Sequence, residues 1–163
     1  MEDNNQNKRT TRFTRDKTED ISNLLYGKIP PQARELEEAV LGALLIEGHC
    51  IEEIIDILKP ESFYVDAHAT IFRSILSLYE RSNPIDLLTV TEDLRRMAKL
   101  EEIGGAYYLS ELTNKIASSA NIVYHSRIIV QKFISREMIR ISNDVIRDSY
   151  EDTTDVFDLL DTA

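Results

Sequence analysis

One uninterrupted helical pattern, from about Ser119 to Tyr150, constrains this chain more than any other feature. Two apolar rows run along it. The first is Val123, Val130, Ile134, Met138, Ile141 and Val145, which project onto one side of a 3.6-residue helix. The second is Tyr124, Ile128, Ile139 and Ile146, displaced by roughly a third of a turn. Ser135 and Ser142 fall within the second row, where a small side chain lets another helix come close. A helix that covers a single core needs one stripe. Two stripes predict two partners, one within the chain and one outside it, and so predict assembly rather than catalysis.

The 163 residues suffice for one domain and a tail, with roughly two-thirds of the unfolded surface buried and no disulfide required. Cys50 is the single cysteine and lies among Ile51, Ile54 and Ile55, which reads as a buried thiol in a reducing cytoplasm. No apolar leader opens the chain, and the longest apolar run, 39–46, is too short to cross a bilayer. The net charge of −10 is unevenly placed. Residues 1–31 hold six Lys/Arg and five Asp/Glu, whereas 32–163 hold thirteen against twenty-four. A domain this acidic repels phosphate backbones, so strong direct DNA binding is not expected of it.

Residues 1–29 are polar and aperiodic, and we read them as a disordered tail carrying a small apolar island at Ile21, Leu24, Leu25 and Tyr26. Pro30 and Pro31 mark the entry to the folded part. Helices are predicted over about 32–46, with Leu36, Val40, Ala43 and Leu44 inward, and over about 50–58. A third, capped by Asp66, runs to about Arg81 and buries Ile71, Phe72, Ile75, Leu78 and Tyr79. Thr89 and Glu92 have capping-box spacing and open a fourth helix that buries Val90, Leu94 and Met97. Gly104 and Gly105 turn the chain into a fifth, to about Lys115, with Tyr108, Leu109 and Leu112 inward. The long helix follows. Thr153 or Thr154 then caps a short segment with Val156, Phe157, Leu159 and Leu160 apolar. So short a helix is marginal alone, and the chain is expected to continue past Ala163. With no period-2 alternation of useful length, the fold class is all-α: a helical head over 30–117 and an arm over 118–163 that begins a helical hairpin.

Catalytic patterns are missing from this list. The glycines at 27, 42, 48, 104 and 105 do not give the P-loop spacing, so no nucleotide hydrolysis is expected of this segment. His49, His68 and His125 have no partner at metal-ligand spacing, and one cysteine does not complete a zinc set; no metal is expected. His49 beside Cys50 lacks an oxyanion site, and His68 reads as a packing or hydrogen-bonding residue at a helix boundary. The acid pairs 37–38, 52–53 and 101–102 read as solvated faces or an acidic docking surface. Arg127, Arg136, Arg140 and Arg147 read as surface charges beside Glu137, Asp144 and Asp148.

In order and spacing, several segments together resemble one family. They are Pro30 and Pro31, 35–42 (ELEEAVLG), Phe63 and Tyr64 with His68, Ile71 and Phe72, then 84–90 (PIDLLTV) and 104–109 (GGAYYL). Further on come 120–122 (ANI) with Tyr124, Ile129, Val130, Lys132, Arg136 and Ile139. The chain over about 30–150 is similar to the N-terminal domain of bacterial replicative DNA helicases of the DnaB type. The resemblance implies a non-catalytic helical head and hairpin arm, whose hairpins pair between subunits to support a hexamer. It implies self-association through Ile128, Ser135, Ile139, Ser142 and Ile146. Docking of the primase C-terminal domain would involve Tyr108, Ile139, Val145 and Glu35. A helicase loader is a further partner of such a domain. ATP and magnesium belong to the motor domain, absent from this chain, and no cofactor is expected for these residues. The rival reading is a free-standing helicase or primase adaptor, or loader, with the same helical fold. The helicase-binding domain of primase is a second rival, but it ends its chain.

Overall fold

The computed structural model describes residues 27–115, 118–151 and 156–162. The apolar island at 21–26 and the candidate caps Thr153 and Thr154 lie outside the described residues. From Pro31 onward the chain forms one unit, and every regular element described is helical. These are α1 (Arg34–Ile46), α2 (Ile51–Ile54), α3 (Asp66–Glu80), α4 (Leu87–Arg96), α5 (Gly105–Asn114), α6 (Ile122–Ser149) and α7 (Val156–Thr162). Short 3-10 turns occupy Gly48–Cys50 and Pro60–Ser62.

Helix α1 is the hub. It packs against α3, α4, α5 and α6, and Val40, Leu41 and Leu44 are fully buried. Ile71, Phe72 and Ile75 of α3 and Leu94 of α4 meet it from one side, Leu109 and Leu112 of α5 from another. Each such side chain removed from water contributes about 1.5–3 kcal/mol. The inward positions expected of α3 and α5 are met, with Tyr79 and Tyr108 half-buried against the core. Met97 is a correction. It is the C-cap of α4 and exposed, because the helix ends a turn sooner than the apolar spacing suggests.

Two helix starts also differ from expectation. Asp86, not Thr89, is the N-cap of α4: its Oδ1 accepts from Thr89 N at 2.9 Å, while Thr89 Oγ1 accepts from Asp86 N at 2.9 Å. Thr89 therefore takes the third position of the box, and Glu92 is left on the solvent side. At α3 the N-cap is Val65, which has no oxygen to offer, and Asp66 is the first helical residue. A carboxylate from α1 lies at this end instead and takes the two amides that lead into the helix. Glu37 receives Tyr64 N at 2.7 Å and Val65 N at 3.3 Å, placing a carboxylate at the positive end of α3.

Helix ends are closed by left-handed residues. Ser82 and Ala98 have φ of 54° and 55°, and the following amides reach back to Leu78 O and Leu94 O at 2.9 Å. Gly104 and Gly105, with φ of 105° and 76°, form the expected turn into α5. Any other residue there meets the steric cost of that region.

Between α3 and α4 lies a buried carboxylate. Asp93 accepts from Ser74 Oγ at 2.7 Å and from Arg81 and Arg96, each at 2.6 Å. Burial pushes its pKa up, but those hydrogen bonds and the Arg81 charge outweigh burial and hold it below the ordinary aspartate value.

Candidate functional site

The long helix divides at Arg136. Before it, Ile122, Ser126 and Ile129 are buried against the cluster, Ile129 at 1% exposure, with Val123, Val130 and Phe133 half-buried. This stripe, spaced by four and three, is neither of the rows drawn from the sequence. Only Val123 and Val130 of the first row pack on the core, while Ile134, Met138 and Ile141 are exposed. The apolar count missed the true stripe because Ser126, in its middle, and Arg136, which follows it, are polar. Ser126 leaves the small volume that a close crossing requires. Arg136 donates to Pro31 O at 2.8 Å and Ser62 O at 2.9 Å and lies over the Tyr64 ring at 5.4 Å. Arg136 is thus an anchor of α6 and not the surface charge expected of it.

Beyond Arg136, Met138, Ile139, Ile141 and Ile146 are 40–64% exposed. Helix α7 contacts α6 and adds Phe157 and Leu160, both largely exposed. Of the residues expected to mediate self-association, Ile139, Ser142 and Ile146 are exposed, and Ile128 and Ser135 are half-buried. Ser135 Oγ donates to Gln131 O at 3.0 Å and Ser142 Oγ to Met138 O at 2.7 Å, so both hydroxyls are satisfied within α6. They need nothing from a partner helix. Arg140 and Arg147 bridge Glu137, Asp144 and Asp148 on the same segment, as expected for an exposed face.

A second candidate surface lies where α1 meets α5. Glu35 is exposed in the first turn of α1. Tyr108 is half-buried and its hydroxyl lies 2.6 Å from His68 Nε2; His68 Nδ1 lies 2.6 Å from Glu37 Oε2. A carboxylate only accepts, so Nδ1 carries a proton toward Glu37, and in the neutral ring Nε2 receives the phenol O–H. Burial, then the nearby Glu38, push the Tyr108 pKa up, keeping the phenol a donor. The expected role of His68 as a hydrogen-bonding residue is met. Glu37 is a correction: at 1% exposure it is no part of a solvated face. Its neighbour Glu38 is half-buried and pairs with Lys115 at 2.8 Å. Tyr107, not among the expected contact residues, is 74% exposed beside Tyr108. Val145 is half-buried on α6.

The structure also brings His49 together with two other side chains of ligand type. The ligand atoms of Glu47, His49 and Cys50 lie within 4.8 Å of one another at the turn after α1. Among the described residues, no helix is long and apolar enough to cross a membrane.

A helical cluster whose last long helix leaves large apolar side chains in solvent defines the class, an all-α domain with an exposed apolar arm. The family whose model matches residues 29–131 is described as "DnaB-like helicase N terminal domain". The chain is 50% identical over 135 residues to the replicative DNA helicase DnaB of Rhodothermus marinus, covering 83% of this chain but 14% of that protein. Its fold is similar to the crystal structure of the N-terminal domain of DnaB helicase from Mycobacterium tuberculosis. There the TM-score is 0.78 and the identity 33%, over 82% of this chain and 94% of that one. A further solved structure describes a DnaB-like replicative helicase and its interactions with primase. It matches at TM-score 0.64 and 29% identity over 71% of this chain and 27% of that one. The chain belongs to the DnaB-like helicase N-terminal domain family.

Proposed function

We propose that this chain is the assembly and docking domain of a replicative DNA helicase that works in the cytoplasm, with ATP hydrolysis supplied by a motor domain outside these residues. In this reading the far half of α6, with α7, pairs with the same elements of a second copy, and such pairs support a hexamer. The observation that carries it is the exposure of Met138, Ile139, Ile141 and Ile146 on a helix whose near half is buried. Burying the exposed part of each contributes about 1 kcal/mol. Four such residues from each of two copies, with Phe157 and Leu160 of each, bring the gain into the range of about 4–15 kcal/mol that association costs.

Primase docks, in the same proposal, on the surface bearing Glu35 and Tyr108, with Ile139 and Val145 of the arm as further contacts. The similarity to a helicase described with its primase interactions supports this. Tyr107 is added on exposure alone.

Sedimentation of the wild-type chain and of Ile139→Asp tests the assembly. Wild type should self-associate with rising concentration, and the variant should sediment as a monomer with unchanged helical circular dichroism. A wild type that stays monomeric at every concentration, or a variant that unfolds, rejects the pairing surface.

A further inference from the structure

Outside both candidate surfaces, the turn joining α1 to α2 gathers three side chains of metal-ligating type. Cys50 Sγ lies 3.7 Å from Glu47 Oε2 and 3.9 Å from His49 Nε2, and all three ligand atoms fall within 4.8 Å. We propose that Glu47, His49 and Cys50 form a three-ligand site for a borderline-soft divalent cation, zinc by its donor set.

The distances fit such an ion. A tetrahedral zinc with bonds of about 2.3 Å to sulfur and about 2.1 Å to nitrogen or oxygen sets its ligand atoms roughly 3.4–3.6 Å apart. Both sulfur edges are already within a few tenths of an ångström of that value. The remaining edge, from Glu47 to His49, is no longer than 4.8 Å and closes by a small rotation of the exposed His49 side chain.

Two contacts fix the turn in this shape. Gly48 sits so tightly on the chain at Ile85 that an added Cβ would meet Ile85 O at 2.2 Å. Ser119 Oγ donates to Glu47 Oε2 at 2.7 Å and orients the carboxylate from outside. That oxygen keeps a second lone pair for the ion. Thiolate, imidazole and carboxylate together select zinc-like ions over magnesium or calcium, which take oxygen alone. Three protein ligands leave a fourth position to water or to a donor from a partner.

The site also has a place in the fold. Ser119 O accepts from Ile122 N at 2.9 Å, at the first residue of α6. A cation on Glu47 therefore ties the end of α1 to the start of the arm.

Titration of the reduced, untagged 163-residue chain with cobalt(II) tests the proposal. The expected result is one equivalent bound, with the intense thiolate-to-cobalt charge-transfer absorption of a cysteine ligand and displacement by zinc. Cys50→Ser should abolish that absorption. Because Cys50 is buried and its replacement can disturb packing, His49→Ala at an exposed position is the second arm. It should weaken binding at least about tenfold, and Ser119→Ala about tenfold. Absence of the charge-transfer band in the wild type, or undiminished affinity in folded His49→Ala, would overturn the site.

Discussion

From Ile122 to Phe133, α6 sinks Ile122, Ser126 and Ile129 into the helical cluster, whereas from Met138 to Ile146 its large apolar side chains stand in solvent. Apolar content is similar in the two halves, so hydrophobicity alone does not decide which half is covered. The difference lies in the polar residues. Ser126 gives the near half a close approach, and Arg136 fastens it to two backbone carbonyls. In the far half, serines turn back onto their own helix and arginines pair along it. A helix thus carries one surface covered by its own chain and another that stands in solvent.

The largest expected break in this contrast is Ile129→Ala. Loss of a fully buried side chain should destabilise the chain by about 3 kcal/mol in chemical denaturation, with Ile139→Ala close to neutral in the monomer. Equal losses at the two positions would erase the distinction between the halves. Next is Arg136→Met, which retains the stem but removes two charge-assisted hydrogen bonds. It should cost about 2 kcal/mol by the same measurement, and a neutral result would return Arg136 to the surface. The smallest effect has the opposite sign. Ser126 is fully buried and its Oγ has no hydrogen-bond partner among the described residues. Ser126→Ala should therefore raise stability by about 1 kcal/mol.

Much of this architecture was legible in the sequence, and the reasons for success and failure differ by residue. The apolar spacing of α3 and α5 and the turn at Gly104 and Gly105 follow from local rules, and the structure agrees with them. Glu37, Ser126 and Arg136 defeat those rules. Each is polar and each belongs to a packed contact, because its partners lie 27 or more residues away or on another helix. Composition scores such residues as solvated. The α4 start went wrong for a nearer reason: Asp86 and Thr89 have the same spacing as Thr89 and Glu92, and only the hydrogen bonds separate the two boxes. Of the surface reading, the exposure of Ile139 and Ile146 was foreseen. The stripe that makes the near half of α6 a core element was not.

The carboxylate that closes α3 has one more consequence. Helix α3 has no side-chain cap of its own, and the two amides that lead into it are held by residue 37, 27 positions of chain before Tyr64. A fragment that opens after α1 would lose more than a packing neighbour, since its amides at 64 and 65 would face only water. Where this protein can be cut is therefore set at Glu37, well before the helix that would fray.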